Sequence, residues 1–321
     1  MLSLLLLMLP DPEPLTLRDH GPGTSGSGVS TTSGETLKSG AVRAAYRIDY
    51  TQFERLSNQD IREKTLEVGG SHAHFDALRW TMLQSIELSF GATDDLELGL
   101  TMGNYRGNDL REGHVHGNGT LGFHAWGDVT GTTDPWITAK WRFSRGPEGH
   151  WAVFGGVKLP FGDDTERGEN EDTPLEPALQ PGSGTFDARL GLAYSRWITE
   201  RVTLDMSAGY THRTEEDEFK IGDLALVAAA LAYRFADDMQ TFPATSVFLE
   251  AAVRQLLRNE EDGETVRNSG GTTLFAGTGL RVSFSARVAW DVAVQIPVLQ
   301  HLHDEQQESL FKVSTGLSFL F

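Results

Sequence analysis

The sequence predicts an all-β chain, a transmembrane antiparallel up-and-down β-barrel of about 12 strands. Three observations carry that prediction: period-two alternation of apolar and polar residues from residue 41 onward, connections that tend to alternate between short and long, and a final strand whose last residue is aromatic.

Alternation is the signature of strands with one apolar and one polar face. Val42, Ala44, Tyr46, Ile48 and Tyr50 fall on one face, with Arg43, Arg47, Asp49 and Thr51 on the other. Leu78 to Phe90 repeats the pattern with a break at Leu83 and Gln84, and further strands are expected near 96–102, 134–143, 151–161, 185–197 and 202–212. The remainder fall near 221–235, 246–257, 272–283, 288–298 and 310–321. Most are close to the nine to eleven or so residues that a tilted strand needs to cross a bilayer.

Short links at 91–95, 144–150, 198–201, 236–245 and 284–287 alternate with longer ones at 54–75, 103–133, 162–184, 213–220, 258–271 and 299–309. Outer-membrane barrels have this asymmetry, with tight periplasmic turns and extended external loops, whereas a soluble sheet with one solvated face does not require it. Aromatic residues such as Tyr46, Phe90, Trp136, Trp141, Trp151, Trp197 and Tyr233 gather toward strand ends, where interfacial girdles sit. In the last strand Phe311, Val313, Thr315, Leu317, Phe319 and Phe321 share a face, and this ending resembles the C-terminal signature that barrel-insertion machinery reads, with Phe321 as its terminal aromatic.

Composition narrows the function. The chain has 321 residues, no cysteine and 35 glycines, and its formal charge of -18 argues against nucleic acid, which is bound by clustered Lys and Arg. Mean hydropathy is -0.29, and no apolar run reaches the length of a membrane helix. Much of the acid lies in the long loops, at Asp163, Asp164, Glu166, Glu169, Glu171 and Asp172 and again at Glu260, Glu261, Asp262 and Glu264. Residues 1–10 read as a degraded or truncated signal peptide, 11–40 as a flexible Gly/Ser/Thr-rich segment able to fold inward as a short plug, and 41–321 as the barrel.

The polar faces carry both charge signs: Arg43, Arg47, Lys140, Arg142, Lys158, Arg189, Arg254, Arg281 and Lys312 against Asp49, Glu87, Glu97, Asp187, Asp205, Glu250 and Asp291. These are the expected lumen charges, which would set selectivity through their field. Three His-x-His pairs, His72/His74, His114/His116 and His301/His303, fall in expected external loops, and each could present paired imidazoles to zinc or copper. Solvated loop histidines are the plainer alternative, since metal sites need three or four converging ligands. Ser195 and His212 lie on adjacent expected strands, but nothing around Ser195 resembles the barrel phospholipases, and no cofactor motif is present.

The stretches Gly127-Asp128-Val129, Ile137 to Phe143 and Gly155-Gly156-Val157-Lys158-Leu159-Pro160-Phe161-Gly162-Asp163 resemble the outer-membrane family named for the meta-pathway of phenol degradation. Gly182 to Asp187, Gly222-Asp223, Leu231 to Phe235 and Gly270-Gly271-Thr272 extend the resemblance over residues 85–321. It implies a channel or transporter in a Gram-negative outer membrane that passes small molecules, aromatic or otherwise hydrophobic, distantly like the fatty-acid and toluene channels. Its partners would be outer-membrane lipid and lipopolysaccharide, the insertion machinery and the solute. An outer-membrane hydrolase, an adhesin or structural barrel, and a metal-associated porin using the His-x-His pairs are the competing readings; the leading one is not an enzyme.

Overall fold

The computed structural model describes residues 28–69, 73–146, 149–169, 174–236 and 241–321; residues 1–10, expected as a signal peptide, lie outside them, as does His72. The first strands are β1 (Val42–Phe53), β2 (His74–Ala77), β3 (Trp80–Thr93), β4 (Leu96–Val115), β5 (Leu121–Thr132) and β6 (Trp136–Gly146). Next come β7 (Gly149–Lys158), β8 (Ala188–Trp197), β9 (Val202–His212), β10 (Phe219–Lys220), β11 (Leu224–Arg234) and β12 (Ala244–Leu256). The last are β13 (Glu260–Glu261), β14 (Glu264–Thr265), β15 (Gly271–Ser283), β16 (Val288–Leu302) and β17 (Ser309–Leu320). A helix, α1 (Asn58–Val68), lies between β1 and β2.

Fourteen strands share one antiparallel sheet, and twelve of them form a closed ring in the order β4-β3-β1-β17-β16-β15-β12-β11-β9-β8-β7-β6, with β6 returning to β4. β2 and β5 add to the outer half of β4, beyond the ring. The seam between first and last strand closes through paired backbone bonds, Phe321 N to Val42 O at 2.8 Å and Val42 N to Phe321 O at 3.1 Å. Closure leaves no edge for lipid to meet, the condition under which β structure spans a membrane.

Alternation inverts the usual rule of burial. In β12, Ser246, Phe248, Glu250 and Ala252 are buried while Val247, Leu249, Ala251 and Val253 are exposed. Leu249 is 66% exposed and its neighbour Glu250 only 5%. The outward apolar face suits hydrocarbon and the inward polar face suits a lumen. Aromatic contacts mark both rims, with Trp141/Phe143, Trp151/Tyr194 and Tyr233/Phe235 at the short-turn end and Tyr50 against Trp80 and Phe311 at the other. Trp136 departs from the expected girdle. It lies on the inward face, 4.7 Å beneath the Arg189 guanidinium.

Two expected loops are structured. The segment 103–133 is a hairpin in which β4 runs on to Val115 and pairs with β5, ending on a turn where His116 N donates to Thr120 O. Glycine and charge fill this hairpin because neither face meets lipid, so the apolar alternation that marks the wall is lost. The segment 54–75 holds α1 and β2. Ser57 caps the helix, its Oγ accepting from Asp60 N and its N–H donating to Asp60 Oδ2, while Ile61, Thr65 and Val68 are buried at helical spacing and Ile61 packs with Phe75 and Ala77.

One place in the wall is stitched differently. Pairing of β16 with β17 stops at Gln295 and Lys312, although β16 continues along β15 to Leu302 past a register shift opposite Pro297. Beyond that point the Gln300 side chain bridges the gap, accepting from Ser309 N and Oγ at 3.1 and 2.9 Å and donating to Ser309 O at 3.1 Å.

Candidate functional site

The lumen is the candidate site, and the polar face of every wall strand supplies it. At the short-turn end, Glu97 receives Lys140 at 3.4 Å and Arg43 at 3.7 Å. Arg142, with a side chain 3% exposed, holds Glu35 at 2.8 Å and Asp95 at 2.9 Å. Farther along, Arg47 pairs with Asp49 at 3.0 Å, Ser314 donates to Asp49, and Arg281 stands opposite Asp291 across β15 and β16. Glu87 faces the same interior from β3, cross-strand from Ala45. Asp205 accepts from Ser195, and Glu250 accepts from Gln295 Nε2 at 2.9 Å. Thus these charges take inward positions, and cross-strand neighbours supply several of their partners.

Residues 28–40 run against this inner wall. Ser30 N and Thr31 Oγ1 each donate to Glu250 at 2.8 Å; Thr32 N donates to Ser207 Oγ, and Gly34 N to Ser195 Oγ at 2.8 Å. Glu35 reaches Arg142 and His150, and Leu37 N donates to Glu97 at 3.0 Å. Val29 packs on Ala232, Phe248 and Ala293. The approach is close: a Cβ on Gly34 would lie 2.5 Å from His150 O, so only glycine lets the chain lie there. A low-complexity segment that cannot bury much apolar surface is ordered here by polar groups that have already left bulk water.

A second network sits at the outer rim and joins the segments that carry the family resemblance. Lys158 Nζ lies 2.7 Å from Asp187 Oδ2 and 3.2 Å from Asp134 Oδ2, and it also donates to Ser183. Asp134 accepts from Gly162 N and Ser183 N, while Asp163 accepts from Thr132 N at 2.7 Å. The described parts of the loop, 159–169 and 174–187, are thereby tied to the top of the wall. They also rest on the hairpin, where Leu175 packs with Leu110, Trp126 and Val129.

The interior glycines have a simple use. Gly191 faces the Phe154 ring, where a Cβ would meet Cζ at 2.2 Å, and Gly279 faces Phe248 in the same way at 2.1 Å. Inward phenylalanines lie over neighbouring glycines, which fills the lumen side of the wall at those points.

Outside the ring, His74 and His114 are paired across β2 and β4. The His114 ring lies 4.6 Å from His116 and stacks at 4.7 Å on His124, which stacks in turn on Trp126. His301 and His303 meet edge to face at 6.3 Å. His74 has acidic company instead, with Nε2 3.7 Å from Glu176 Oε2 and 4.0 Å from Asp76 Oδ2. Burial, with Glu176 adding, holds the Asp76 carboxyl well above the usual carboxylate range. Burial opposes protonation of His74, but Glu176 and Asp76 outweigh it and raise its pKa.

Ser195 and His212 do not form a nucleophilic pair. Ser195 is opposite Asp205 and bonded to it, whereas His212 is at the far end of the same strand pair, opposite Ala188, with Nδ1 3.0 Å from Asp223. Sequence reasoning missed Glu35, His150, Asp134 and Asp223. Glu35 is detectable in retrospect as the one carboxylate in the Gly/Ser/Thr-rich stretch 21–40, and Asp134 by its place just before Pro135 at a strand start.

The sequence signature described as "Putative MetA-pathway of phenol degradation" matches residues 74–298. Among solved structures the chain is similar to the COG4313 outer membrane channel from Pseudomonas putida F1, at 15% identity, covering 89% of this chain and 97% of that one with a TM-score of 0.61. Looser likenesses are to the beta domain of the Bordetella autotransporter BrkA, at 9% identity over 88% of this chain and 100% of that one with a TM-score of 0.46. The CymD monoaromatic hydrocarbon channel matches at 9% identity over 88% of each chain with a TM-score of 0.41. No sequence among the curated proteins matches the chain.

Proposed function

Because this chain belongs to the putative MetA-pathway of phenol degradation family, we propose that it is an outer-membrane channel for small aromatic solutes, working by passive or facilitated diffusion. One observation carries the reading: a closed wall of twelve strands, apolar outside, encloses a lumen lined by charge and crossed by a short polar segment in place of a packed core. Twelve strands fall between the eight or so whose side chains fill a barrel and the sixteen or so that leave an open aqueous channel, so a narrow, selective path is expected.

A pocket of about 270 Å³ on the outer side of the lumen supports the choice of solute. Phe275, Arg254, Lys312, Thr273 and Gln300 line it, and Lys312 Nζ lies 4.2 Å over the Phe275 ring. An aromatic face beside two cations suits a flat ring that bears a carboxylate or phenolate. Lipid and lipopolysaccharide surround such a barrel, and Phe321 would be read by the insertion machinery.

Purified protein in planar bilayers and liposomes tests the proposal. Conductance is expected, with faster swelling in benzoate than in glucose or in an organic cation of similar size. Replacing both cations, R254S with K312S, is expected to move the reversal potential toward cations and reduce benzoate flux several-fold while barrel migration on gels stays unchanged. Folded protein that neither conducts nor admits solutes would refute the channel, and an unchanged reversal potential would remove the pocket from the path.

A further inference from the structure

We propose that His74, Asp76 and Glu176 bind one divalent transition-metal ion, zinc being the best match, and that the ion fastens the loop 159–187 to β2 on the outer face of the protein. His74 and Asp76 are two apart on a strand, so their side chains leave the same face. Glu176 arrives from a loop a hundred residues later, just ahead of the short turn Pro177–Leu179.

Their spacing is the first argument. The ligand atoms of all three lie within 4.8 Å of one another. The imidazole-carboxylate separations of 3.7 and 4.0 Å are too long for hydrogen bonds. Two ligands on opposite or tetrahedral positions of one ion, each bonded at about 2.0–2.2 Å, stand about that far apart. His74 and the two carboxylates have therefore converged at ion-pair distance without hydrogen-bonding.

The second argument is an unanswered acceptor. Asp76 Oδ1 is buried and has no hydrogen-bond partner, while Oδ2 is the oxygen 4.0 Å from His74 Nε2; such a carboxylate is costly unless a cation or a proton neutralises it. Glu112 stands cross-strand from Asp76, its Oε2 already taken by Trp126 Nε1 at 2.9 Å, so it adds negative charge behind the site. Asn268 Nδ2 donates to His74 O at 2.7 Å and holds the strand in place. One imidazole and two carboxylates suit zinc, whereas calcium wants about six to eight oxygens.

Untagged, folded protein stripped with a chelator and titrated with zinc against a competing indicator is expected to take up one ion per barrel. H74A, D76N and E176Q should each weaken that ion by more than about 100-fold, beyond what loss of an outer-shell partner costs. The H301A/H303A double variant should leave it unchanged. Heat-modifiable migration checks that each barrel is folded, and the cobalt-substituted protein should lose its visible absorption in E176Q. Absence of stoichiometric uptake, or uptake that survives H74A combined with E176Q, would overturn the proposal.

Discussion

Expressed behind an export signal, a chain that starts at Lys38 is expected to fold as the same barrel and to conduct several-fold more than the full chain. Residues 28–37 cross the lumen, and the bonds from Ser30, Thr31, Gly34 and Leu37 to Glu250, Ser195 and Glu97 are replaced by water once the segment is gone. The wall should tolerate the loss, since its ladders do not include the segment. A milder variant makes the same point within the full chain. Gly34→Leu cannot fit beside His150 O, so it should displace the segment and raise conductance without removing any residue. Equal single-channel conductance in all three proteins would mean that solutes take a path the segment does not touch.

Leu249→Arg is expected to destabilise the folded barrel by about 2–4 kcal/mol, the cost of a cation on the lipid face near mid-depth. Leu249 is near the middle of β12 and is 66% exposed to the surroundings of the barrel. Leu257→Arg, one residue past the end of that strand, is the depth control, and its cost should fall to about 0–1 kcal/mol near the interface. Urea unfolding in lipid vesicles measures both. If the two variants were equally stable, the apolar wall would not be facing hydrocarbon.

The wall was legible in the sequence because a two-sided environment imposes a two-residue period: Val247, Leu249 and Val253 had to be apolar, and Ser246 and Glu250 could not be. Where lipid is absent that constraint ends, and the outer half of β4, all of β5 and helix α1 carry no clear two-residue period. The inward position of Arg142 and Lys158 could be read, but their partners could not. Register sets those partners, and Glu35 and Asp134 reach them from segments whose course no periodicity reveals. Likewise the spacing of His72 and His74 pointed to metal chemistry, yet the carboxylate nearest to His74 Nε2 comes from Glu176, whose approach depends on the fold of a long loop.

The bridge made by Gln300 changes what kind of trait the integrity of this wall is. Elsewhere in the ring, adjacent strands are joined by peptide groups, which every residue except proline supplies, so mutation can rarely remove a join. Between the outer ends of β16 and β17 the join is one amide side chain on Ser309. A single codon change could therefore loosen the wall there while the rest of the ring stays shut, and permeability at that point becomes something selection can adjust by degrees.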